Sequence, residues 1–256
     1  MRLAANLTYL FTELPMMERF PAAAAMGFEG VEIPFPYDLS ARDLGQAAHA
    51  AGLEFVAMAA PPPNWAGGPR GFAAQPGGEG RFRNDFMRAL RYGEVLRARH
   101  IQVIPGLGTG PEAHATLIAN LDWAVRRAPH ASILIEPVSS RDLPGAYLDD
   151  LDLAVDCIRQ IGAPNLGLQF DIWHLHAITG DVLAAWERAA PLVRHVQISG
   201  WPGRAEPLPG SAIDYAALLA RMRKSGYAGW IAAEYAPARG TRAGLGWMRQ
   251  LSLQST

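Results

Sequence analysis

Cysteine, lysine and long apolar runs are all scarce in this chain. Cys157 is the single cysteine among 256 residues, so no internal disulfide can form, and a lone thiol suits a reducing cytoplasm. Of the 23 basic residues only Lys224 is lysine and the remaining 22 are arginine. Lys224 falls in "LLARMRKSGYAG", at the end of an amphipathic helical pattern, where a cation complements the helix dipole. Imine-forming aldolase chemistry therefore has no good candidate residue. No run reaches the roughly 20 apolar residues of a membrane span. The opening "MRLAANLTYLFTELP" has one arginine and no sustained apolar core, so it does not read as a signal peptide and a cytoplasmic location is expected. The net charge of −1 offers no basic face for nucleic acid, and neither a G-x-S-x-G nor a Walker motif occurs.

What is present is a rhythm. Short apolar runs alternate with helical patterns: "LAANLTY" (3–9), "GVEIPF" (30–35), "EFVAMAA" (54–60), "HIQVIPG" (100–106), "SILIEP" (132–137), "LGLQFDI" (166–172), "RHVQISG" (194–200) and "WIAAEYA" (230–236). Two of the intervening helices carry plain start and stop signals: Ser40 before and Gly52 after one, Asp214 before and Gly226 after another. Eight strand-then-helix beats predict one (β/α)8 barrel domain over 1–256, an α/β fold of the usual size for this length. The rival, an open doubly wound sheet, would want a glycine fingerprint that is not there. Stretch 60–80, "APPPNWAGGPRGFAAQPGGEG", is long for a loop, and Trp65 and Phe72 favour a lid over the third strand. "PGLGTGP" (105–111) has a phosphate-cradle look but lacks the Lys-Ser/Thr, so a turn is expected.

The chemistry gathers at four strand ends. Glu136 closes "ILIEP", Asp171 closes "LQFD", Gln197 follows "HV", and Glu234 closes "WIAAE". If these four point into the barrel, alternation turns Ile133, Ile135, Leu168, Phe170, Val196 and Ile198 towards the helices, as a helix-covered surface requires. Three carboxylates in one confined mouth repel one another, and a divalent ion relieves that repulsion. Oxygen donors from Glu136, Asp171, Gln197 and Glu234 suit a hard ion, Mg2+ or Mn2+. His174, three residues past Asp171, is expected in the loop that opens onto the mouth and is a candidate for substrate contact. His176 reads as a surface or capping residue, His195 as a core histidine or a functional one, and Cys157 as a small packed hydrophobe.

Together "ILIEPVSSRDLPGAYL", "LGLQFDIWHLHAITGD", "RHVQISGWPGRAEP" and "GYAGWIAAEYAPARGTRAGLGWM" resemble the hydroxypyruvate isomerase family of the xylose isomerase-like barrels. "LTYLFTELPMMERF", "GFEGVEIPFPYD" and "PPPNWAGGPRG" fit as well, so the resemblance runs nearly end to end. It implies that the same four residues bind one divalent cation and that Glu136 and Glu234 give and take protons. It also implies interconversion of short 2-oxo acids with their aldehyde or shifted-ketone isomers: hydroxypyruvate with tartronate semialdehyde, or 2-oxo-tetronates. The chain departs from the pattern after the seventh strand. Where the family commonly has Ala-Asp after the glutamine, this chain has Ser199-Gly200-Trp201. Past Pro202-Gly203-Arg204 it has Ala205 in place of a histidine, and no Gly-Thr-Gly-Glu. Arg204 and Glu206 are retained. Arg204 and Arg141 are the candidate clamps for a substrate carboxylate.

Other readings of such a barrel are a sugar 3-epimerase or inosose-type dehydratase and an inactive ligand-binding barrel. Abasic-site DNA repair would need several histidine ligands and a basic surface, and neither is evident. The expected partner is a small keto acid or sugar, with no nucleic acid and no membrane. A homo-oligomer is compatible with all of this.

Overall fold

The computed structural model describes residues 1–60, 71–251 and 253. Eight parallel strands close into a barrel in sequential order. They are β1 (Arg2–Asn6), β2 (Gly30–Glu32), β3 (Glu54–Ala60), β4 (His100–Val103), β5 (Ser132–Ile135), β6 (Leu166–Asp171), β7 (Val193–Ile198) and β8 (Trp230–Ala233). Around them lie α1 (Met16–Ala25), α2 (Ala41–Ala50), α3 (Glu79–Leu96), α4 (Gly110–Arg127), α5 (Leu151–Ile161), α6 (Ile172–Thr179), α7 (Val182–Ala189) and α8 (Tyr215–Lys224). Two short helices follow, α9 (Thr241–Gly244) and α10 (Trp247–Gln250). All eight expected runs are strands, though most stop two or three residues early. The ladder ends where the chain turns outward into the loops of the mouth.

The start signals act as expected. Ser40 Oγ accepts from Asp43 N–H at the head of α2, and Asp214 Oδ1 accepts from Ala217 N–H at the head of α8. The helices bury one face on the outer surface of the sheet, where Ile133, Ile135, Leu168, Phe170, Val196 and Ile198 join the main apolar core. Cys157 packs there too, and burial pushes its thiol up to about 11, so it behaves as a small hydrophobe. A fully buried side chain of the Leu or Phe class contributes roughly 1.5–3 kcal/mol.

Inside the barrel the floor is a separate apolar cluster of Ala4, Val56, Ala57, Trp230 and Ala232. The Trp230 ring fits because its neighbour is Gly30, where a Cβ would come within 2.7 Å of both the ring and Val56. Above this plug the interior turns polar: Asn6, Glu32, Gln169, His195 and Gln197 are all buried. The register sets them side by side, Asn6 against Glu32, Gln169 against His195 and Asp171 against Gln197.

Two loops bear on earlier expectations. Residues 61–70 of the expected lid, Trp65 included, lie outside the described residues; Phe72 is half-buried with the Arg81 guanidinium 5.2 Å from its ring. "PGLGTGP" is a turn leading into α4, with Leu107 bridged to Ala146.

Candidate active site

The mouth at the C-terminal ends of the strands holds a pocket of about 140 Å³, close to five waters at ~30 Å³ each. Glu136, His174, Gln197, Arg204 and Glu234 line it, with Tyr9, Phe35 and Asp142 at its sides.

Each carboxylate is held by the strand that carries it and by a neighbour's amide. Glu136, one residue past β5, accepts from Gln169 Nε2 at 2.9 Å and also from Gln102 Nε2 on its same oxygen. Asp171 ends β6 and caps α6: its Oδ1 accepts from Trp173 N–H at 2.7 Å and His174 N–H at 3.1 Å. This answers why a carboxylate can end so apolar a run. One oxygen satisfies two orphan helix amides, and the other, Oδ2, is left for the mouth. Gln197, on β7, accepts from Gln169 Nε2 at 2.7 Å and donates to Glu32 Oε1 at 2.8 Å. Glu234, one residue past β8, accepts from Asn6 Nδ2 at 3.3 Å.

His174 differs from expectation in its backbone: it lies in the first turns of α6, since Asp171 starts that helix earlier than the strand pattern implied. Its ring is buried. Nδ1 accepts from Ser139 N–H, which leaves Nε2 facing Asp171 Oδ2 and Asp142 Oδ2, each 3.9 Å away. Glu136, Asp171 and His174 offer donor atoms within 4.8 Å of one another. With Nδ1 accepting, the neutral ring carries its proton on Nε2, so the donors left for a divalent ion are the expected oxygens, which suit a hard one.

The charge problem expected of this mouth is visible. Burial, and then Asp171, raise the Glu136 carboxyl well above its ordinary range, and the same two causes raise Glu234. The protein's own relief is Arg204. Its Nη2 lies 3.0 Å from Asp171 Oδ2 and 3.5 Å from Glu234 Oε2, and its Nη1 lies 3.3 Å from Asp142 Oδ2. Burial opposes the Arg204 charge, but Asp171, Glu234, Asp142 and Glu136 more than compensate and raise its pKa. A guanidinium thus stands between Asp171 and Glu234.

The loop after β7 aims that arginine. Arg204 N–H donates to Gly200 carbonyl at 2.8 Å, and Gly200 N–H to Ala205 carbonyl at 2.7 Å. Only glycine allows this: a Cβ at position 200 would stand 2.2 Å from the Glu206 carbonyl oxygen. Arg204 itself takes a left-handed φ of 51°, unusual without glycine, and its guanidinium lies 5.0 Å from the Trp173 ring.

Two other expected residues stand apart from this group. Glu206 Oε1 accepts from Ala238 N–H at 3.0 Å and ties the β7 loop to the β8 loop. The Arg141 guanidinium lies 5.4 Å from the Trp201 ring, on an exposed part of the rim. His176 packs its ring against Trp201 at 4.7 Å, and His195 is a buried partner of Glu32 at 2.7 Å. Glu32, Asn6, Gln102 and Asp142 were not singled out in the sequence. A signal existed for the first two: each is a polar residue at the end of an apolar strand run, as Asp171 is.

The chain matches a model described as a xylose isomerase-like TIM barrel over residues 20–251. It is 40% identical over 254 residues to a 2-oxo-tetronate isomerase of Cupriavidus necator, covering 97% of each chain. It is 36% identical to the hydroxypyruvate isomerase of Escherichia coli, covering 97% of this chain and 98% of that one. Among solved structures, one titled AP endonuclease, family 2, from Brucella melitensis superposes with a TM-score of 0.92 at 35% identity, covering 97% of this chain and 98% of its own. On fold, matched span and identity along the whole length, this chain belongs to the hydroxypyruvate isomerase family of the xylose isomerase-like TIM barrels.

Proposed function

We propose that this barrel, one domain across 1–256, is a divalent-metal-dependent isomerase of short 2-oxo and hydroxy acids. The observations that support the reading are the Arg204 guanidinium between Asp171 and Glu234 and the ligand-type oxygens of Glu136 and Asp171 within 4.8 Å of each other. The names of the two relatives supply the substrate class, hydroxypyruvate or a 2-oxo-tetronate.

Glu136, Asp171, Gln197 and Glu234 would hold the ion, while His174, whose Nδ1 accepts from Ser139 N–H, keeps its proton on Nε2 and would donate to a substrate oxygen. A bound Mg2+ or Mn2+ supplies Lewis-acid stabilisation of the charge that develops on the substrate's oxygens. The protein's residues do the rest. For hydroxypyruvate, one glutamate removes a proton from C3, the electron pair becomes the C2–C3 double bond of an enediol(ate), and a proton returns to C2. The hydroxyl proton moves from O3 to O2, and the product is tartronate semialdehyde. Glu136 and Glu234 project from strands three apart, which lets one take the proton and the other return it. Their raised pKa values bring them closer to the range in which a carboxyl group both accepts and donates near neutrality. Arg204 offers a planar fork for the substrate carboxylate.

The net charge of −1 and the acidic mouth speak against a phosphodiester substrate. The test is product analysis by NMR after metal-stripped and Mg2+- or Mn2+-loaded protein meets hydroxypyruvate, a 2-oxo-tetronate and a neutral ketose. Metal-dependent turnover of either acid supports the reading. Turnover of the ketose alone would favour a sugar 3-epimerase, and turnover of none would favour a binding barrel.

A further inference from the structure

Beneath the candidate metal position lies a further buried carboxylate, Glu32, at the end of β2, 1% exposed. It touches no part of the mouth pocket directly, yet three donors close on it. Asn6 Nδ2 donates to Oε1 at 2.9 Å, Gln197 Nε2 donates to the same oxygen at 2.8 Å, and His195 Nε2 lies 2.7 Å from Oε2. A side-chain amide has two faces that differ by one atom, and on its own it can present either to a cation. A carboxylate only accepts, so the face of Gln197 turned to Glu32 must be the NH2 group. The oxygen is thereby turned the other way, where Gln169 Nε2 meets it at 2.7 Å, beside Glu136. Asn6 is fixed in the same manner: its Oδ1 accepts from Thr8 N–H at 3.0 Å, so its NH2 must serve both Glu32 and Glu234 Oε1.

We propose that Glu32 is a positioning residue: by accepting from the Gln197 amide it sets that residue's oxygen, and not its nitrogen, towards the metal position. This rests on the metal reading above. Glu32 acts on the metal position through Gln197, without itself touching metal or substrate. Partners of this kind that orient a ligand are commonly worth about 10–100-fold in metal affinity.

The experiment measures Mn2+ affinity of chelator-stripped full-length protein by electron paramagnetic resonance, with circular dichroism as the check on folding. The set is the parent protein, Glu32→Gln, Glu32→Asp, Gln197→Ala, and each Glu32 variant combined with Gln197→Ala. Asp keeps the charge but shortens the reach, so positioning predicts that both Glu32 variants lose about 10–100-fold in affinity. In the Gln197→Ala background that loss should shrink to about threefold or less, because the residue through which Glu32 acts is gone. If Glu32→Gln does not fold, Glu32→Asp carries the test alone. Affinity unchanged in the Glu32 variants, or an equal loss with and without Gln197, overturns the inference while leaving the metal site standing. Failure of the parent protein to bind Mn2+ overturns the metal reading and this inference with it.

Discussion

Arg204 Nη2 stands 3.0 Å from Asp171 Oδ2, so a guanidinium from the β7 loop neutralises a carboxylate that also caps helix α6. Asp171 thus has one oxygen committed to the backbone amides of α6 and the other to the Arg204 side chain.

If Arg204 reads the substrate carboxylate, its loss should be selective. We expect Arg204→Ala to lower kcat/KM on a keto acid by about 30-fold or more, the lower end of roughly 2–5 kcal/mol for a desolvated charge pair. The effect on a neutral ketose should be far smaller, and Arg204→Lys should restore only part of the activity, since ammonium lacks the planar fork. Steady-state kinetics on one acidic and one neutral substrate check this. Equal losses on both would assign Arg204 to shaping the loop.

Glu136 and Glu234 are the proton-transfer candidates. Glu136→Gln keeps one oxygen near the Gln102 and Gln169 amides, and Glu234→Gln keeps one near Asn6, so both variants should fold. Each is expected to lose at least about 10²-fold in kcat, the usual scale for an acid–base group. Full activity in either variant, with native circular dichroism, removes that residue from the chemistry.

His100 is a probe of acid stability far from the mouth. Burial, and the nearby His195, Arg99 and Arg194, hold its pKa down to about 2, with Ser132 Oγ at 2.9 Å from Nδ1. In the unfolded chain a histidine titrates near 6.5. The unfolded state therefore binds the extra proton between these values, so this group's stability is intact above about pH 6.5 and is lost as pH falls towards 2. The slope it adds is about 1.4 kcal/mol per pH unit. Urea unfolding at several pH values should give a flatter dependence below pH 6 for His100→Asn than for the parent protein. An unchanged slope would mean that the ring takes up its proton without leaving the fold.

Much of this architecture was legible because each strand run is short, apolar and followed by a helical pattern, and parallel strands buried on both faces must look so. Glu136, Asp171, Gln197 and Glu234 were legible for a related reason: a polar residue at the end of an apolar strand is anomalous and needs a use. The same rule, carried to β1 and β2, would have found Asn6 in "LAANLTY" and Glu32 in "GVEIPF". The β7 loop was not legible. Whether Arg204 or Glu206 enters the mouth depends on a left-handed residue and a tight turn at Gly200, and no periodicity encodes either. Glu206, in consequence, meets the Ala238 amide and not the pocket.

The central claim is metal-dependent movement of a carbonyl by proton transfer between carboxylates, and isotope incorporation tests it most directly. Mg2+- or Mn2+-loaded protein is incubated with hydroxypyruvate in D2O, and the C2 position of the product is read by NMR. Two acid–base carboxylates that exchange with solvent predict deuterium at C2, abolished by a chelator and restored by the metal. Product carrying only hydrogen at C2, or product formed at the same rate with the metal stripped, would contradict the account.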